Sequence, residues 1–284
     1  MKKAIIPVIL GLIITFTAAG QGIPGGSDPF ADMDKAFSSQ DQTYTMEDEY
    51  YLGRAVAANI LAAYKPLKNQ ELTLYLNRIC QTLVINSSQP EIFNGYHVII
   101  LDSPEYNAFA TPGGHIFITK GLVDVASSED GLAGIIAHEL SHIILKHGIS
   151  IINDMKITDE MADMARRGAA MSGSPGAQRA LAMRNSVAGL LDTLMKNGYS
   201  KPQEFEADKA AVALLAESGY DPNGLLDVLK VLQRVQGTQK GGFNSTHPTP
   251  QERIANLGDP KAMYRITDTS SYRTRRFAHN VTNK

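Results

Sequence analysis

From Thr45 onward the apolar positions fall into helical and strand periods that divide the chain into elements. Thr45 and Asp48 stand three apart, the spacing of a capping box with Asp in place of Glu, and Tyr51, Leu52, Val56, Ile60 and Leu61 then recur at helical spacing. Leu72, Leu74, Leu76, Ile79 and Leu83 predict a second helix over 69–85. The texture then changes: 96–101 is short and β-branched, which predicts a strand. Within 107–120, Pro112-Gly113-Gly114 precedes alternating Ile116 and Ile118, a turn feeding another strand. Helical patterns dominate from Gly121, over 121–127, 130–148, segments within 150–198, 202–218 and 222–236. The sum is an α+β fold, mainly helical, with a small β-sheet near its middle.

The amino terminus reads as an address. Residues 1–20 run from two lysines through an apolar stretch to Thr17-Ala18-Ala19-Gly20, the order of a secretory signal peptide. The apolar stretch is shorter than the roughly 20 residues of a spanning helix and carries Pro7 and Gly11. Export is therefore expected, and with no cysteine near the cleavage point a lipid anchor is not. Residues 21–44, rich in Gly, Ser, Pro and Asp, read as a linker or mobile leader. Apolar residues at 43 % and charged residues at 20 % exclude a disordered chain. A net charge of -2 lacks the basic excess of a nucleic-acid binder, so no nucleic-acid partner is expected. Cys80, the single cysteine, excludes an internal disulfide framework and reads as a buried thiol.

The strongest chemical signal is His138-Glu139-Leu140-Ser141-His142, inside an apolar helical stretch. Histidines four apart lie about 40° apart around a helix, so both imidazoles can take adjacent corners of one tetrahedron. Glu139, one step round, is placed to reach a water beside the metal and take its proton. A third ligand is needed. His147 lies five residues past His142, about 140° round and off the face. The metzincin pattern is excluded by Leu145 and Gly148. His147 instead reads as a last-turn histidine before Gly148 as C-cap, bonding the final carbonyls. Glu204 is the better candidate: it shares a helical face with Asp208, which can hydrogen-bond the free N–H of a ligand histidine. Glu206 points the other way and reads as solvated.

Four blocks together carry a resemblance: Asn107-Ala-Phe-Ala-Thr-Pro-Gly-Gly114, His138-Glu-Leu-Ser-His142 with His147, Glu204-Phe-Glu-Ala-Asp208, and Thr246-His-Pro-Thr-Pro-Gln-Glu-Arg-Ile254. In that order they resemble the zinc metallopeptidases of the HtpX and CAAX-prenyl-endopeptidase family, and more narrowly its soluble periplasmic, BepA/LoiP-like branch. The resemblance covers 45–258 and implies a zincin-like metallopeptidase domain with one Zn²⁺ per chain. It implies His138, His142 and Glu204 as ligands, Glu139 as general base and Asp208 behind them. It gives Asn107, Ala108, Phe109, Gly113 and Gly114 as a strand beside the cleft, on which a substrate peptide could add. It makes His247 a candidate fourth ligand that latches the site, and Arg253 a partner for an acidic group nearby. It implies unfolded or misassembled envelope proteins as substrates, in the periplasm or peripherally on a membrane.

Other features remain open. Segment 150–200 holds six of the ten methionines and reads as an adaptable helical core, with a mobile lid as the functional alternative. The tail over 259–284 carries Arg265, Arg273, Arg275, Arg276 and Lys284 and reads as a solvated basic patch. The rival to a peptidase is a chaperone-like envelope-protein assembly factor with a latent zinc site. No oligomeric state follows from the residues.

Overall fold

A computed structural model describes residues 44–154, 188–235, 246–264 and 269–282. The expected signal peptide, nearly all of the expected leader and most of the methionine-rich stretch lie outside the described residues.

The first helix, α1 (Met46–Ala63), begins where the sequence places it: Asp48 N–H donates to Thr45 Oγ1 at 3.1 Å while Thr45 N–H donates back to Asp48 Oδ2 at 2.9 Å. Helix α2 (Gln70–Ile85) is capped by Asn69, whose Oδ1 accepts from Leu72 N–H. Three strands follow, β1 (His97–Leu101), β2 (Ala108–Thr111) and β3 (His115–Thr119), in the order β1-β3-β2. β3 pairs parallel with β1 and antiparallel with β2, with Val98 opposite Ile116 and Phe109 opposite Phe117. β2 is thus an edge strand. The turn before β3 needs glycine twice over: Gly113 has φ +72°, and a Cβ there would lie 2.3 Å from Tyr50 Cα of α1.

The sheet separates two apolar clusters through its period of two. Ala108, Ala110, Ile116 and Ile118 face a core shared with α2 and with the later helices α4 (Glu129–Ile144), α6 (Lys201–Glu217) and α7 (Gly224–Val235). Phe109 and Phe117 face the opposite way, toward α1, Ile149, Ile152 and Tyr199. Short α3 (Lys120–Val125) links the sheet to α4. Gly131–Ile143 of α4 is buried throughout, the signature of a helix surrounded by protein. Each fully buried leucine or isoleucine there contributes about 1.5–3 kcal/mol.

Two expectations are corrected. The helix predicted over 130–148 ends at Ile144; Lys146 takes a left-handed conformation with φ 59°, and a new helix, α5 (His147–Asp154), starts at His147. Lys146 holds that geometry while its ammonium pairs with buried Glu49 of α1. Gly148 is therefore no cap. It is small because a Cβ there would come within 3.1 Å of Pro112 Cγ. The basic tail is likewise not wholly solvated. Helix α8 (Pro250–Leu257) and a single turn at Pro260–Met263 lead to α9 (Ser270–Phe277). Arg276 of α9 pairs with Glu129 and Arg273 Nε lies 2.7 Å from Asp130 Oδ1, both in the first turn of α4. No helix among the described residues is long and apolar enough to cross a membrane.

Candidate active site

Three elements and one loop converge beside β2. α4 carries His138, Glu139 and His142 at its buried centre. α6 contributes Glu204 and Asp208 from its first two turns, both fully buried. α8 contributes Arg253, also fully buried, and the loop ahead of it carries Thr246 and His247. α8 starts where Thr249 and Glu252 cap each other reciprocally with Pro250 between them, which fixes the loop's exit.

His138 Nε2 and His142 Nε2 lie 3.1 Å apart. Glu204 spans both, with Oε2 at 3.6 Å from His138 Nε2 and Oε1 at 3.5 Å from His142 Nε2. Four ligands at the 2.0–2.1 Å of zinc–nitrogen and zinc–oxygen bonds stand about 3.4 Å apart along the tetrahedron's edges, so these separations fit one small cation. Glu204 Oε1 has no hydrogen-bond donor among the described residues, a costly state for a buried carboxylate oxygen unless a cation meets it. His247 Nδ1 lies 2.7 Å from Glu204 Oε2, and His138, Glu204 and His247 offer ligand atoms all within 4.8 Å of one another. His138, Glu204 and His247 form one group that could hold a divalent metal, with His142 Nε2 beside His138 and Glu204, and these nitrogen and oxygen donors suit zinc.

The electrostatics also favour a cation. Burial and Arg253 both oppose a charged His138, yet the bonds to Asp208 and Glu204 outweigh them and lift its imidazole to about 9. Burial raises Glu204, but His247 and His138 more than offset it and hold the carboxyl well below the usual range. Asp208 is likewise opposed by burial and lowered by Arg253 and His138, to about 2. Burial holds His142 well below the ordinary imidazole value and pushes the Glu139 carboxyl up.

Asp208 reaches His138 Nδ1 at 3.0 Å with Oδ1, and Arg253 grips the same carboxylate. Arg253 Nη2 also stands 3.1 and 3.4 Å from the two ring nitrogens of His138, a contact across the ring as a whole. The structure thus brings together His138, Glu139, His142, Glu204, Asp208, His247 and Arg253. Ala108 lines a small apolar cavity with His138 and Glu139, and Asn107 Oδ1 accepts from the Thr246 hydroxyl at 3.3 Å. Phe109 points into the core on the other side of the sheet, and Gly113 and Gly114 lie in the turn against Tyr50 and Gly95.

Tyr199 was not singled out from the sequence, and His147 was quoted with the motif but read as a helix-end histidine. The Tyr199 ring stacks on His142, centroids 4.1 Å apart and planes at 13°, and its hydroxyl lies 3.5 Å from Ala110 O. His147 Nδ1 lies 2.8 Å from His142 Nδ1. Tyr199 is brought in by the turn before α6 and His147 by the helix break at Lys146, neither of which its spacing shows.

Residues 68–261 match the family model described as peptidase family M48. The chain is 24 % identical over 250 residues to a β-barrel assembly-enhancing protease of Escherichia coli strain K12, covering 86 % of this chain and 50 % of that protein. It is 28 % identical over 218 residues to the mitochondrial metalloendopeptidase OMA1 of Schizosaccharomyces pombe, covering 75 % and 59 %. The chain thus spans about half the length of the curated relatives it matches. Extending over most of the described core and over every element that carries the cluster, the family match assigns the chain to peptidase family M48.

Proposed function

We propose that the chain is an exported, zinc-dependent endopeptidase acting on misfolded or misassembled cell-envelope proteins. The observation that carries the reading is the convergence of His138 Nε2 and His142 Nε2, 3.1 Å apart, on Glu204, one of whose oxygens lies 3.6 Å from the first and the other 3.5 Å from the second. Envelope clients are supported by the likeness to β-barrel assembly-enhancing proteases, and export by the signal-like residues 1–20.

In this reading His138, His142 and Glu204 hold Zn²⁺. The chemistry a bound Zn²⁺ supplies is polarisation of the scissile carbonyl and acidification of water. Glu139 takes the proton of the attacking water and passes it to the leaving amine, and burial, which raises its carboxyl, makes its carboxylate the stronger base for the first transfer. Asp208 accepts from His138 Nδ1–H, so Nε2 is the nitrogen that would face the cation. Arg253 keeps Asp208 ionised and in place. β2, an edge strand with Ala108 beside Glu139, is the rail on which an extended substrate would pair. His247, its side chain 4 % exposed and bonded to Glu204, acts as a latch that must leave before a substrate carbonyl can enter.

The test is zinc content together with cleavage of unfolded casein by the wild type and Glu139→Gln. One zinc per chain in both, with cleavage by the wild type alone, is the expected result. Zinc in both with cleavage by neither would favour the assembly-factor reading, and no zinc in either would overturn the metal site.

A further inference from the structure

Resting on the reading of His142 as a metal ligand, we infer that His147 is a positioning residue for it, the middle member of a relay Glu206–His147–His142 that fixes which ring nitrogen of His142 faces the cation. Hydrogen counting carries the argument. His142 Nδ1 and His147 Nδ1 lie 2.8 Å apart, a separation that needs one proton between the two nitrogens; two lone pairs or two N–H groups would repel. On its other side His147 Nε2 stands 3.4 Å from Glu206 Oε2, a carboxylate that only accepts. The His147 side chain is 4 % exposed, and one N–H on the ring accounts for both of its contacts, donating at one nitrogen and accepting at the other. Facing a carboxylate, that N–H is on Nε2, and His147 Nδ1 is bare. The shared proton therefore belongs to His142 Nδ1, and His142 Nε2 is left as a lone pair. That atom is the one 3.1 Å from His138 Nε2 and 3.5 Å from Glu204 Oε1.

The two histidines of the motif are thereby set by different devices. His138 donates from Nδ1 to Asp208, itself gripped by Arg253. His142 donates from Nδ1 to a neutral imidazole, whose proton is oriented by a half-solvated glutamate. Tyr199, stacked on one face of His142, holds the ring plane that this bond requires. The helix break serves the same end. Continued past Ile144, α4 would carry residue 147 about 140° away from His142. The left-handed Lys146 instead turns the chain so that α5 begins with His147 beside the ring.

The test compares His147→Leu, His147→Gln and Glu206→Leu by zinc affinity in a competing chelator, and reads the His142 tautomer in metal-free wild type by long-range ¹⁵N NMR. A glutamine carbonyl can accept from His142 Nδ1–H and leucine cannot. His147→Leu is expected to weaken zinc about 10- to 100-fold, His147→Gln to recover most of that, and Glu206→Leu to fall between leucine and wild type. Folded His147→Leu with wild-type zinc affinity, or His147→Gln as weak as His147→Leu, would overturn the relay. Should His147→Leu fail to fold, the wild-type spectrum decides: His142 protonated on Nδ1 and His147 on Nε2 support the relay, and the reverse overturns it. Absence of zinc binding by wild type would instead remove the ligand reading, while the same spectrum still judges the relay.

Discussion

Arg253 and Asp208, 45 residues apart in sequence and both fully buried, meet fork to fork: Nε donates to Oδ2 at 2.9 Å and Nη2 donates to Oδ1. The pair ties α8 to α6 and, through His138 Nδ1, ties both to the centre of α4. Such a contact is worth little against a well-packed apolar replacement, but removing one half strands the other charge. Arg253→Ala is expected to cost about 3–5 kcal/mol of stability. Urea unfolding of both proteins in chelator, so that metal binding contributes to neither, is the measurement. Arg253→Lys keeps the charge but not the fork and should lose less.

Cys80 gives a pH prediction away from the site. Burial pushes its thiol from an ordinary value near 9 up to about 12. Between those values the unfolded chain has released the proton and the folded chain has not. The unfolded state then binds fewer protons, so stability falls as pH rises through that window. Buried Tyr75 and Tyr96, also raised by burial, act in the same direction at higher pH. A disulfide reagent at pH 8 should find no thiol in the folded protein and one in urea. Cys80→Ala should flatten the alkaline slope of stability between pH 9 and the tyrosine range.

Legibility followed locality. The capping box at Thr45, the helices carrying Glu139 and Glu204 and the turn at Gly113-Gly114 are written in spacings of two to four residues, and the structure has them. The i,i+4 pairs His138/His142 and Glu204/Asp208 each fall on one face for the same reason, and packing of α6 on α4 brings them together. What stayed hidden depends on one residue's backbone. Gly148 looked like the stop because glycine tolerates positive φ, yet Lys146 takes that conformation while paired to Glu49, a partner 97 residues away. From that break follow the start of α5 and the place of His147. Tyr199 could not be read at all, since its partner ring lies across the fold.

His247 bonds Glu204 at 2.7 Å from a loop that makes a further bond to Asn107, so the latch reading has a definite energetic content. A hydrogen bond to a charged group contributes about 1.5–3 kcal/mol. Removing it from the closed state alone would raise the open fraction about 10- to 100-fold while that fraction is small. His247→Ala is therefore expected to raise kcat/KM on an unfolded substrate by about that factor, with zinc content unchanged. Equal or lower cleavage at full zinc occupancy would remove the latch and leave His247 a structural contact.

The seat of that loop offers an independent test without touching a candidate ligand. Gly198 has φ +71°, and a Cβ on it would come within 1.6 Å of Thr246 O, the residue just before His247. No rotation of a side chain relieves a clash with backbone, so the loop or the turn before α6 must move. A left-handed alanine costs about 1–2 kcal/mol in addition. Gly198→Ala is expected to lower the unfolding midpoint and, if His247 latches the site, to raise cleavage in the same direction as His247→Ala. In the double variant the gain should not add, because both changes release one loop. Additive gains would mean that Gly198 acts on the cleft by another route, through Tyr199 and its stack on His142. A stability loss with no change in cleavage would confine Gly198 to packing.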